Sequence, residues 1–125
     1  MEQQAYVIGL EHLRMDDLER VGGKNASLGE MIGQLSKAGL RVPGGFATTA
    51  QAYRDFLVVS GLKERIAQRL KGLDADDVDA LARCGAEIRA WIMSQPMPKR
   101  LEDEIAKAYS ALIAQSGGEI SVAVR

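Results

Sequence analysis

Between residues 26 and 116 the apolar side chains recur at helical rather than strand spacing, and glycine or proline punctuates each run, so most of this chain must be a succession of helices. Leu28, Met31, Ile32 and Leu35 fall at i, i+3, i+4 and i+7 on a helix over 26–38, which Gly39 closes as a C-cap. Asn25, or Ser27 with Glu30 at capping-box spacing, opens it, and Lys24 flanks its start. Thr48 and Gln51 form the next capping box, for a helix that buries Ala52, Tyr53, Phe56 and Leu57 and ends at Gly61. A third helix runs over 62–71 with Leu62, Ile66 and Leu70 on one face. Asp74, Asp76 and Asp77 supply acidic residues for the first turn of a fourth, which turns Val78, Leu81, Ile88 and Ile92 inward. Pro98, suited to the first helical position, begins a fifth with Leu101, Ile105, Ala108 and Leu112, and Gly117-Gly118 closes it.

Extended structure is predicted only at the margins. Ala5 to Ile8 reads as a short apolar strand, and Leu13 to Val21 as a charged turn or helical stretch ending at Gly22-Gly23. Val42-Pro43-Gly44-Gly45 imposes a turn before a brief extended segment at Phe46-Ala47. The last seven residues alternate with period two, as a strand does. Ile120, Val122 and Val124 share one face; Ser121, Ala123 and Arg125 share the other, where two small side chains clear a path beside a guanidinium, as in a ligand groove. The run stops with no turn, cap or polar tail, so the chain is expected to be a piece of a longer protein. The expected class is α/β of the α+β kind: one domain over 1–125, predominantly helical with about five helices, and a few short strands in a small sheet.

A chain of 125 residues suits one modest domain that buries somewhat under ~70% of its unfolded surface. With 46% hydrophobic residues, 26% charged residues and a net charge of −1, there is no basic excess to point to nucleic acid. No apolar stretch approaches the ~20 residues that span a bilayer, and Met1 to Gln4 is polar, so a cytoplasmic address is expected. The piece by itself is expected to be monomeric. The single cysteine, Cys84, excludes an internal disulfide and a multi-cysteine metal site. Among Leu81, Ala82, Gly85 and Ile88 it is either a small packed hydrophobe or a reactive thiol.

Chemistry concentrates at Gly22-Gly23-Lys24. A helix N-terminus carries roughly half a positive charge and unpaired N–H groups, so a lysine there costs about 0.3–1 kcal/mol when exposed, and an anion offsets it. The run is not a Walker A loop, because Leu18 stands where that motif has its first glycine and Asn25 stands where it has Ser or Thr. Two readings remain: an anion site, or a solvated lysine beside a tight turn. Arg125 is either a strand-edge arginine or a second phosphate contact. His12 has no partner at catalytic or metal spacing and reads as a surface residue. The aspartates at 74, 76, 77 and 79 lack the glycine and terminal glutamate of a calcium loop and read as helix caps. Trp91 is either core or a stacking platform for a base.

Gly22-Gly23-Lys24-Asn25-Ala26-Ser27-Leu28-Gly29-Glu30-Met31, followed by Val42-Pro43-Gly44-Gly45-Phe46-Ala47-Thr48-Thr49-Ala50, resembles the start of the phosphoenolpyruvate synthases, the pyruvate, water dikinases. The resemblance continues through Ile88 to Ile92 and Ala108-Tyr109 to the closing Val122-Ala123-Val124-Arg125. Pyruvate phosphate dikinase and rifampicin phosphotransferase share a related domain. The resemblance implies the first subdomain of an ATP-grasp nucleotide-binding domain, in an enzyme of gluconeogenic direction that turns ATP, pyruvate and water into phosphoenolpyruvate, AMP and phosphate through a phosphohistidine. By the same resemblance Lys24 and Arg125 meet the ATP phosphates, and Gly22 and Gly23 form the turn that lets the lysine approach. It also implies that the catalytic histidine, the adenine pocket and the carboxylates for Mg²⁺ lie outside this chain, which by itself is inactive. The alternatives are the two related phosphotransferases and, from another class, a non-catalytic anion-binding module.

Overall fold

A computed structural model describes residues 5–40 and 44–125. The polar N-terminus at 1–4 and the Val42-Pro43 part of the expected turn lie outside the described residues. The elements are β1 (Val7–Gly9), α1 (Leu18–Val21), α2 (Gly23–Lys37), β2 (Phe46–Thr48), α3 (Ala50–Val59), α4 (Leu62–Leu70), α5 (Val78–Ser94) and α6 (Lys99–Ser116). Single 3-10 turns at Leu10–His12 and Met15–Asp17 stand between β1 and α1. Among the described residues, six helices with one two-stranded antiparallel sheet give the helix-dominated α+β class that the periodicity predicts. The sixth helix is α1, a single turn within the stretch read as turn or helix.

The chain divides into two compact units, one of residues 1–52 with 99–125 and the other of residues 53–98. In the first, β1 and β2 pair with Val7 opposite Thr48, Ile8 opposite Ala47 and Gly9 opposite Phe46. Its core gathers Leu10, Leu13, Val21, Ala26, Ile32 and Ala47, with Ile8 and Leu28 packed against them. Of the α2 stripe, Ile32 is buried, Leu28 and Leu35 are half-buried and Met31 is exposed. The end of α2 is a Schellman motif: Gly39, at φ +82°, donates to the Ser36 carbonyl and Leu40 to the Leu35 carbonyl. Arg100 of α6 lies 3.6 Å above the Tyr6 ring, a cation–π contact against the segment that enters β1.

Thr48 does not cap α3, because the sheet uses it opposite Val7. The cap moves one residue on. The Thr49 hydroxyl accepts from the Ala52 amide at 3.2 Å and donates to the Ala5 carbonyl at 2.8 Å, while the Thr49 amide donates to the Tyr6 carbonyl. One buried threonine thus starts the helix and ties it to the strand entry.

In the second unit Leu62 and Cys84 are buried, so the cysteine is a packed hydrophobe. Arg69 pairs with Glu87 and Arg65 sits 4.0 Å from the centre of the half-buried Trp91 ring, joining α4 to α5. Asp77 caps α5 by accepting from the Ala80 amide, as expected, whereas Asp74 accepts from the Asp76 amide in the loop before the helix and does not cap it. Tyr53, Leu70, Val78 and Leu81, expected inward, are exposed. An apolar stripe is covered only along the length that another element reaches.

The largest difference lies in the last seven residues, which form no strand. Residues 119–125 pair with no strand among the described residues and, apart from half-buried Ile120, are exposed. Alternation favours an extended chain, but a strand exists only when a second one takes up its N–H and C=O groups.

Candidate functional site

The start of α2 is built from the loop before it. Arg14 clamps that loop: its Nη1 donates to the carbonyls of Leu13 at 2.6 Å, Glu11 at 3.2 Å and Gly29 at 3.3 Å. Its guanidinium lies against Gly33, where a Cβ would come within 2.8 Å of it. Asp17 accepts from the Arg14 amide at 3.0 Å and from Arg20 Nη1 at 2.8 Å, and these contacts, the Arg14 amide first, hold its carboxyl below the usual carboxylate range. Glu30 accepts from the Met15 amide, adding a second tie to α2. Neither this glutamate nor Ser27 forms the expected capping box, because Glu30 is engaged by the loop and Ser27 is exposed one turn into the helix.

The helix begins at Gly23 with Gly22 as its N-cap, three or five residues before the caps expected at Asn25 or Ser27. Lys24 therefore lies inside its first turn and does not flank it. Gly22 is the N-cap at φ 87° and ψ 163°, a combination essentially restricted to glycine. It bends the chain from α1 into α2: its amide donates to the Leu18 carbonyl at 2.8 Å and its carbonyl accepts from Ala26 at 3.1 Å. Gly23 has no such requirement. A Cβ there would meet only Leu18 Cδ1, at 3.9 Å.

No side chain of the described residues caps α2. Among the described residues the amides of Gly23, Lys24 and Asn25 have no acceptor, and Lys24 is exposed with no ion-pair or hydrogen-bond partner. Asn25 turns its amide group back to the Val21 carbonyl, at 3.0 Å, and is not the cap. Gly22, Gly23 and Lys24 are thus contiguous at one helix start, as the sequence implies.

Arg125 lies in the exposed last segment, not on a strand edge, and makes no hydrogen bond or ion pair with described residues. An open cavity of about 630 Å³ is lined by Tyr109, Ile113 and residues 118–121, and Arg125 is not part of its lining. His12 is exposed, 3.5 Å from the equally exposed Glu11. Among the described residues no three His, Cys, Asp or Glu side chains converge as metal ligands, and no helix is long and apolar enough to cross a membrane.

A helix opened by a glycine-only turn, with free amides and an exposed lysine, occurs here in a sequence that belongs to the pyruvate phosphate dikinase, AMP/ATP-binding domain family, whose model covers residues 18–125. The relatives narrow this. The chain is 61% identical over 121 residues to the phosphoenolpyruvate synthase of Neisseria meningitidis serogroup B, across 96% of this chain and 15% of the relative. It is 58% identical over 120 residues to that of Pseudomonas aeruginosa and 52% identical over 108 residues to that of Escherichia coli K12, covering 96% and 86% of this chain. It spans only 14–15% of the length of these three relatives.

Proposed function

We propose that this chain is the N-terminal ATP-binding portion of a phosphoenolpyruvate synthase, and that the start of α2 is one wall of its phosphate site. The observation that carries the reading is the unmet donor set at Gly23–Asn25 beside exposed Lys24, within the residues of an AMP/ATP-binding family. Three N–H groups and a cation at a helix start supply what a polyphosphate needs: directed donors and compensating charge. Gly22 sets the bend and Gly23 leaves the approach free of side chain. Arg125, exposed and unengaged, is the proposed second phosphate contact.

The whole protein, in this reading, converts ATP, pyruvate and water to phosphoenolpyruvate, AMP and phosphate through a phosphohistidine borne outside this chain, in the cytoplasm and in an ATP-grasp frame. Phosphoryl transfer of this kind is mostly positioning and charge neutralisation, which is the part Lys24 performs. In this reading Mg²⁺ accompanies the ATP and is held by carboxylates in the remainder of the protein.

The products test this reading. Followed by phosphorus NMR, the whole enzyme should release AMP, phosphate and phosphoenolpyruvate in equal amounts, with phosphoenolpyruvate formed only when pyruvate is present. ADP as the nucleotide product would overturn it.

A further inference from the structure

A single turn of helix cannot hold its own end, because its last carbonyls have no intrahelical partner. In α1 the Gly22 amide takes the Leu18 carbonyl, which leaves the Val21 carbonyl beside a buried Val21 side chain. Asn25 Nδ2 supplies the donor, at 3.0 Å. Asn25 is the third residue of α2, so one side chain joins the last carbonyl of α1 to the first turn of α2 across Gly22. At Gly22 itself nothing lies within 4 Å of the position a Cβ would take. The core holds the bend from either side through Val21 and Ala26. Among the described residues the hydrogen bonds that span it are the backbone bonds of Gly22 and the one from Asn25.

We propose that Asn25 is a positioning residue that fixes the α1–α2 bend so that Lys24, its immediate neighbour, is presented to the phosphate in one orientation. This rests on the reading of Lys24 as a phosphate contact. Asn25 touches no phosphate in this scheme. It acts by removing freedom that binding would otherwise have to remove.

The test uses the whole enzyme with Asn25→Leu, which fills similar space without a donor, and Asn25→Ala as a second variant should the leucine disturb folding. Losing one such hydrogen bond corresponds to a roughly 3- to 10-fold effect. Hydrogen exchange at the Gly22 and Ala26 amides should quicken by about that factor, and the KM for ATP should rise by roughly 3- to 10-fold with kcat within about twofold. Asn25→Gln, which restores the donor, should recover part of both effects. Unchanged exchange and KM in the leucine and alanine variants would overturn the proposal, as would a loss of kcat with KM unaltered. Quickened exchange with unchanged KM would also overturn it, and ATP binding by Lys24→Met, read as the Kd, then identifies the fault: if that variant weakens binding the error lies in Asn25, and if it does not, the error lies in giving Lys24 the phosphate.

Discussion

Lys24→Met in the whole enzyme should abolish ATP-dependent phosphorylation of the catalytic histidine while leaving phosphoryl exchange between phosphoenolpyruvate and that histidine largely intact. Methionine keeps the unbranched apolar stem of lysine and removes the terminal ammonium with its charge and N–H donors. Lys24 is exposed and pairs with no described residue, so its loss leaves no carboxylate or carbonyl stranded and should not disturb the fold. The effect then falls on the ligand. Removing one preorganised donor to developing charge costs roughly 10²- to 10³-fold in rate, and the half-reaction that uses no ATP is spared. Rapid-quench measurement of phosphohistidine formed from each substrate separates the two. Equal loss of both would mean that Lys24 serves the fold and not the nucleotide.

Gly29→Ala should destabilise the chain, although alanine is the better helix former. A Cβ at Gly29 would stand 2.5 Å from Leu13 Cβ, 2.6 Å from the Leu13 carbonyl oxygen and 2.9 Å from the Leu10 carbonyl oxygen. None of these is the free end of a flexible side chain, and Leu13 is wholly buried. The loop before α1 would have to move off α2, taking the Arg14 clamp with it. Overpacking of this kind costs about 1–3 kcal/mol, against which helix propensity returns at most about 1 kcal/mol. Thermal unfolding followed by circular dichroism should show a Tm lower by roughly 3–10 °C. Gly23→Ala is the internal control: its Cβ meets one atom at 3.9 Å, so the Tm should hold or rise slightly. A Gly29→Ala chain as stable as its parent would contradict the close packing of this loop on α2.

These two glycines show where sequence reasoning succeeds and where it stops. The helical stripes of 26–116 were legible because burying one face of a helix writes a 3.6-residue period into the chain. The exposed Lys24 beside glycines was legible because its neighbours follow from chain order. Capping was readable only to within a residue or two: Thr48 and Thr49 both have a hydroxyl, and strand pairing with Val7 decided between them. The Asn25 amide also fits an N-cap, and only the short helix before it shows that it serves the Val21 carbonyl instead. Arg14 carried no signal, because its three acceptors are backbone carbonyls, one of them 15 residues away. The alternation at 120–124 was real, but a strand needs a partner that alternation cannot supply.

Lys24 itself offers the most direct measurement. Its amine is exposed, as are those of Lys63 and Lys99, so all three should react with an acylating reagent, and mass spectrometry can follow each rate in the whole enzyme with and without ATP. If Lys24 grips the ATP phosphates, ATP should slow its acylation several-fold while Lys63 and Lys99 keep their rates. Acylation of Lys24 at an unchanged rate under saturating ATP would contradict the account.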